Sequence, residues 1–402
     1  MGHAHADQKI ENPGVLKSAG AWTGIFGVLI VIGLISFFAL FSGGDHAHAW
    51  TAVLRSHFYF MGISICAVFF LAIHWITTSM WSSAVRRLAE GFTNYLPFVL
   101  VSTILVFLGA KSLYKWTDLA YVHADPVVLG KAGYLNMGFF MTRTLIAIAG
   151  WYFFAKKLVG YSLKSDTATE FKPLYETARK VAVAFIVFFA ITFSMSAFDQ
   201  LMSIDAHFFS TMFGVYIFAG SFQSFWAVLA IVTIIMKRNG YLGKIVNTNH
   251  VHDIAKMMFA FTVFWAYTAF SQYMLIWYAN LPEETAFFIL RFSPAWTGWS
   301  LGLFIGNFCL PFLILLPRGN KRSDEVVFLS ACWILVMHYF DYNWLIQPQF
   351  YQDGPVFSPF DVGVWLGFLG VFGLCVTAFY KKNNLVAIKD PYLPESVFHH
   401  HI

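Results

Sequence analysis

Ten apolar runs dominate the chain, at 20–41, 52–78, 95–113, 134–156, 178–199, 209–236, 254–279, 294–316, 325–347 and 358–380. A helix needs roughly 20 apolar residues to cross a bilayer. No run alternates as a membrane β-strand would. The predicted fold class is therefore all-α integral membrane, with ten transmembrane helices. Only 12% of the 402 residues are charged and 58% are hydrophobic. A soluble fold of this size needs far more polar surface, so a soluble enzyme, a nucleic-acid binder and a disordered chain are excluded. The expected organisation is an N-terminal segment 1–19, a membrane domain 20–380 and a tail 381–402. Residues 1–18 are polar and lack a signal-peptide core, so the first run is expected to be retained. No loop is long enough for a soluble domain.

Charge placement predicts orientation. With sides alternating at each run, the side of both termini carries 20 of the 26 basic residues, among them Lys9, Arg86, Arg87, Lys237 and Lys244, against 11 acidic ones. The other side carries 5 basic (Arg55, Lys111, Lys115, Lys131 and Arg291) against 9 acidic residues. Arg143 and Asp341 remain inside runs. The first side is net +9 and the second net −4. The positive-inside rule then places both termini in the cytoplasm, and an odd number of spans would destroy this sorting. The expected location is a bacterial inner membrane.

The cysteines Cys66, Cys309, Cys332 and Cys375 each sit alone in an apolar run. No C-x-x-C or Cys/His cluster occurs, which argues against iron–sulfur ligation or c-type haem attachment on this chain. His57 and His74 share the second run, but too few histidines face one another across helices for paired haem ligation. No metal site and no catalytic residue of the chain's own is expected.

Ionisable groups at membrane depth cost about 2.5–3.5 kcal/mol on insertion scales, so each needs a reason. Arg143, Asp199, Asp205, His207, His338 and Asp341 all favour the outer half. His338 and Asp341, at i and i+3, share a helix face. The six suit an outer proton path or a quinone headgroup pocket, since quinol oxidation needs a proton acceptor near each hydroxyl. The plainer reading is structural, with Arg143 neutralising Asp341 or Asp199 and tying helices together. On the inner side, His74, His252, Asp253 and the mid-span Gln223 are candidates for a cytoplasmic proton path. Asp253, in the H-x-H-D sequence 250–253, is expected to complement its helix N-terminus. Gln223, Asn307 and Gln272 either bond between helices or line a hydrated path. His399–His401 read as a solvated tail.

Three stretches carry a resemblance. Residues 196–214 (SAFDQLMSIDAHFFSTMFG), 250–284 (HVHDIAKMMFAFTVFWAYTAFSQYMLIWYANLPEE) and 389–396 (KDPYLPES) resemble the NrfD-like membrane subunits of alternative complex III, a bacterial quinol:cytochrome c oxidoreductase. Length and tail resemble the ActF type. The resemblance covers most of the chain and is strongest over 178–396. It implies two four-helix bundles, spans 2–5 and 6–9, with two peripheral helices. It also implies partners: an ActC-type paralogue, a multihaem cytochrome c subunit and an iron–sulfur subunit, with haems and clusters on those chains. In the family, quinol oxidation falls mainly to the ActC type, and no quinol-ligand motif can be carried onto this sequence.

The expected function is thus a membrane subunit of a respiratory quinol:electron-acceptor oxidoreductase. It would contribute a quinone-side or proton path, with menaquinone or ubiquinone as the possible quinone, and anchor peripheral redox subunits. The alternatives are a pure scaffold of that complex and a stand-alone transporter. An outward bias of the ionisable set and the scarcity of Pro within spans weigh against the transporter.

Overall fold

A computed structural model of the chain describes residues 12–17, 19–243 and 245–398. Lys9, Lys244, His399–His401 and most of the 1–19 segment lie outside the described residues. All regular structure among the described residues is helical. Ten helices are long and apolar enough to cross a membrane: α1 (Gly20–Ser42), α2 (His46–Thr77), α3 (Arg86–Leu108), α4 (Met137–Ser165), α5 (Lys172–Ile204), α6 (Phe213–Arg238), α7 (Thr248–Ala279), α8 (Thr297–Leu315), α9 (Asp324–Gln349) and α10 (Pro359–Lys382). This is the architecture of an all-α integral membrane protein.

The helix boundaries follow local chemistry. Asp45, Asn136, Ser323 and Ser358 cap α2, α4, α9 and α10 by accepting backbone N–H groups of the first turn. Such caps satisfy donors that a helix start leaves open. α7 is capped by Asn247, whose side chain accepts from the amide of His250 at 3.3 Å, while His250 Nδ1 accepts from the amide of Asn247 at 3.1 Å. Asp253 therefore does not serve the helix start. It lies beyond the first turn and pairs with Lys256 Nζ at 2.6 Å.

The third span differs most from its expected range of 95–113. It begins at Arg86, because the charges that stop a hydropathy reading are internally neutralised. Arg87 Nε lies 3.0 Å from Glu90 and its Nη1 2.9 Å from Asp166. Arg86 pairs with Asp390. Both arginines are buried. Pro97 lacks an N–H and crowds the carbonyl four residues before it, and the helix tightens to a 3₁₀ turn over Thr93–Tyr95 just ahead. In α8, a π-helical turn over Phe304–Cys309 precedes Pro311 for the same reason.

Helices α2–α5 pack as one four-helix bundle and α6–α9 as a second. They meet where α6 packs on α2 and α5. The close approach of α2 and α6 uses Gly62, where a Cβ would lie 2.6 Å from Ser221 Oγ. α1 and α10 form a peripheral pair with their closest contact at Gly33 and Gly367, whose backbones touch. The described segments nearest both ends of the chain lie on one side of the bundle: Leu16 N–H donates to Tyr380 O at 2.9 Å and Leu385 N–H to Gly14 O at 3.0 Å. The segment after α10 is docked, with Leu385, Val386 and Leu393 buried. On the opposite side, the α3–α4 and α7–α8 linkers carry short helices, including Pro126–Lys131 and Pro282–Arg291.

Replacing Gly367 by Leu should separate α1 from α10. Overpacking of this kind typically costs about 1–3 kcal/mol, so the thermal unfolding midpoint in detergent should fall. An unchanged midpoint would show that the contact is not close-packed.

Candidate functional site

The six outer candidates do not converge. They occupy three places.

The first is at the α4–α5 contact. Arg143 makes a two-pronged pair with Asp199, Nε to Oδ2 and Nη2 to Oδ1, both at 2.9 Å. A third N–H donates to Tyr134 O at 3.1 Å, and the guanidinium lies 3.8 Å and 4.1 Å from the ring centres of Tyr134 and Phe139. Asp341 is not its partner. Arg143 is thus saturated, and two parallel N–H···O bonds favour this geometry over a longer reach to α9. Nearby, His57 uses both ring nitrogens, 2.7 Å from Ser102 Oγ and 3.1 Å from Gln200 Oε1.

The second is the α5–α6 linker. His207 Nε2 lies 2.7 Å from Asp125 of the α3–α4 linker. Asp205 accepts from Gln349 Nε2 at 2.8 Å. Lys131 Nζ donates to Ala206 O at 2.6 Å. Desolvation alone would raise the Asp125 carboxyl, but the amides of Val128 and Val127 and the His207 ring outweigh it and hold Asp125 below the ordinary carboxylate range. Desolvation draws Lys131 below its usual range. These contacts pin the linker between the two bundles.

The third is inside the second bundle. Asp341 on α9 is buried and accepts from Tyr216 Oη on α6 and from Trp265 Nε1 on α7, the latter at 3.1 Å. No Lys or Arg pairs with it among the described residues. Its neighbour His338 is 1% exposed, with Nδ1 4.0 Å from Asp341 Oδ2. Neither ring nitrogen of His338 makes a hydrogen bond. The ring packs at 5.0 Å from Tyr59 of α2 and 4.6 Å from Tyr342. Gly220 of α6 makes the room: a Cβ there would lie 3.2 Å from His338 Cε1.

α6 extends this site inward. Tyr216, Gly220 and Gln223 stand at i, i+4 and i+7, one face of a helix. Gln223 Nε2 donates to Thr262 Oγ1 at 2.9 Å, and its Oε1 is unpartnered. One turn further in, Trp226 Nε1 is also unpartnered and its ring stacks on Trp81 at 6.4 Å. Trp81 packs on His74 at 5.7 Å, and His74 Nδ1 is unpartnered. Buried polar atoms without partners are rare in folded proteins, and a set of them points to water or mobile protons. Asp341, His338, Gln223, Trp226 and His74 therefore follow one another as a column along α6 toward the side of the described chain ends. Asp253 lies nine residues from Thr262 on α7, about 14 Å at helical rise, and both His252 and Asp253 are buried near the start of that helix.

Sequence reasoning missed Tyr216, Trp265, Tyr59 and Tyr342. The spacing of Tyr216, Gly220 and Gln223 was a usable signal. It also missed a buried cluster on the outer side, where Asp361 accepts from Arg55 at 2.6 Å and meets His48 Nε2 at 2.9 Å. Of the six side chains expected to form a quinone headgroup pocket, only Arg143 and Asp199 hydrogen-bond each other, and none of the six lines the cavities of about 400, 440 and 580 Å³. Among the described residues, no cluster of three or more His, Cys, Asp or Glu has metal-binding geometry. No family model matches the chain, and no curated protein does.

Two outcomes are expected. Asp199→Asn strands the buried Arg143 cation and should cost about 3–5 kcal/mol, whereas replacing both residues by apolar ones should recover most of it. A thermal-shift cycle measures both, and equal losses in the single and double variants would refute the pairing. A carboxyl held low contributes stability above its unfolded pKa of about 3.9 and loses it as pH falls through the lower folded value. Amide exchange in residues 203–213 should therefore rise below about pH 4. In Asp125→Asn it should be raised already at neutral pH.

Proposed function

We propose that this chain is the proton-conducting membrane subunit of a respiratory quinol:electron-acceptor oxidoreductase, similar to the ActF-type subunit of alternative complex III. The observation that carries the reading is the column from Asp341 to His74. Helical membrane proteins rarely keep ionisable groups at depth, and where they do, a path for ions or protons is the leading explanation. Asp341 holds a carboxyl between two neutral donors with no Lys or Arg partner among the described residues. Burying a carboxylate in that way is costly unless a proton joins it, so the group is suited to loading and unloading a proton. His338 can pass a proton between its two nitrogens, and it lies between Asp341 and the inward line of Gln223, Trp226 and His74.

In this reading, quinol oxidation and electron transfer belong to partners: an ActC-type paralogue, an iron–sulfur subunit and a multihaem cytochrome c. The excess of basic residues on the side of the termini supports a cytoplasmic location for both ends in a bacterial inner membrane. The ion-pair clusters, Arg143–Asp199 and Arg55–His48–Asp361, act as ties between helices. They favour a scaffolding role alongside the proton role.

In the intact complex reconstituted in proteoliposomes, Asp341→Asn should leave assembly and quinol oxidation in place and lower the number of protons moved per electron. His338→Leu should do the same. An unchanged proton-to-electron ratio in both variants would leave only the scaffold reading.

A further inference from the structure

A groove of about 400 Å³ opens between the start of α3, the inner third of α4 and the end of α10. That is within the usual range for small-ligand sites, roughly 300–1,000 Å³. Its walls differ in character. Pro97, Ala155 and Phe379 form an apolar flank on the side of Tyr152, while Lys156, Lys382 and Asn383 form a polar rim. Tyr152 lies one turn from Lys156, with the ammonium 5.5 Å from its ring centre. An aromatic one turn toward the apolar side of a lysine is the pattern of a membrane–water interface.

Among the described residues, no carboxylate lines the groove. The acidic groups of the adjoining elements are spent elsewhere: Glu90 and Asp166 on Arg87, and Asp390 on Arg86. Neither Lys156 nor Lys382 has a carboxylate partner among the described residues. The groove lies on the side of the two termini, where α10 ends and the docked C-terminal segment begins.

We infer that this groove binds one anionic phospholipid of the leaflet facing the chain termini, with the phosphodiester between Lys156 and Lys382 and the acyl chains along the apolar flank. A soluble anion would need only the lysines and would leave the apolar flank bare. A zwitterionic lipid would bring its own cation against two ammonium groups. Basic pockets between helices at a membrane surface suit anionic headgroups, because the charges act at short range and outside the screening of bulk salt. This inference does not depend on the proposed respiratory role.

Native mass spectrometry of the delipidated full-length chain tests it, by titration with phosphatidylglycerol and with phosphatidylcholine. Each lysine near a membrane surface contributes about fivefold in affinity. The variant Lys156→Ala/Lys382→Ala should therefore weaken the first phosphatidylglycerol by about twenty-five-fold and leave phosphatidylcholine unchanged. Lys156→Arg/Lys382→Arg should bind as the original protein does. Lys164→Ala/Lys180→Ala, which removes the same charge from exposed positions outside the groove, should also change nothing. Equal affinity for the two lipids would overturn the inference, as would undiminished phosphatidylglycerol binding by the double alanine variant. Displacement of the lipid by inorganic phosphate would assign the groove to a soluble anion instead. Matching unfolding midpoints of original and variant proteins in lipid-free detergent would show that lost binding is not lost folding.

Discussion

Taking a charge out of water is so costly that it must be neutralised where it lies, and in this chain that requirement sets how the helices stand. Arg143 holds α4 to α5 through Asp199. Asp361 draws α10 onto α2 through Arg55 and His48. Arg87 and Arg86 bind the start of α3 to the end of α4 and to the segment after α10. Apolar packing alone distinguishes poorly among helix arrangements in lipid, since side chains meet hydrocarbon either way. Paired charges do distinguish, because each has few geometries in which every donor is satisfied.

The column along α6 departs from this pattern, and its position gives the departure meaning. It runs where α6 packs on α2, the junction of the two bundles. Gly62 lets the two helices approach and Gly220 opens a place for the His338 ring. Tyr59 enters from the first bundle, with its hydroxyl donating to Leu335 O at 3.0 Å. Groups left unpartnered here face a protein interior and not lipid, which is where a membrane protein can retain water.

Much of the site's composition was readable in advance. His338 and Asp341 are conspicuous because they are ionisable within an apolar run and share a helix face. Gln223 stood out as a polar amide in the middle of an apolar run. Their neighbours Tyr216, Trp265 and Tyr59 are ordinary residues of apolar helices, and only their hydrogen bonds and ring contacts single them out. Arg143 and Asp341 invited pairing because both lie inside runs. Asp199, at the edge of its own run, proved to be the partner because α5 is adjacent to α4 and α9 is not. Arg86 and Arg87 fall outside the expected third run, among the basic residues on the side of the termini. Their carboxylates, Asp166 and Asp390, are about 80 and 300 residues away in the chain, beyond the reach of any local pattern.

The sequence by itself determined the number of spans, the all-helical class and the contrast in charge between the two sides. These depend on local quantities: the length of an apolar run and the count of basic residues between runs. Tertiary structure alone decided which charges are neutralised and which polar groups are left in a column. It decided equally that Lys156 and Lys382, in separate helices, face one groove. Those outcomes depend on which helices are neighbours, and hydrocarbon burial, being non-directional, does not encode that in any one stretch of sequence.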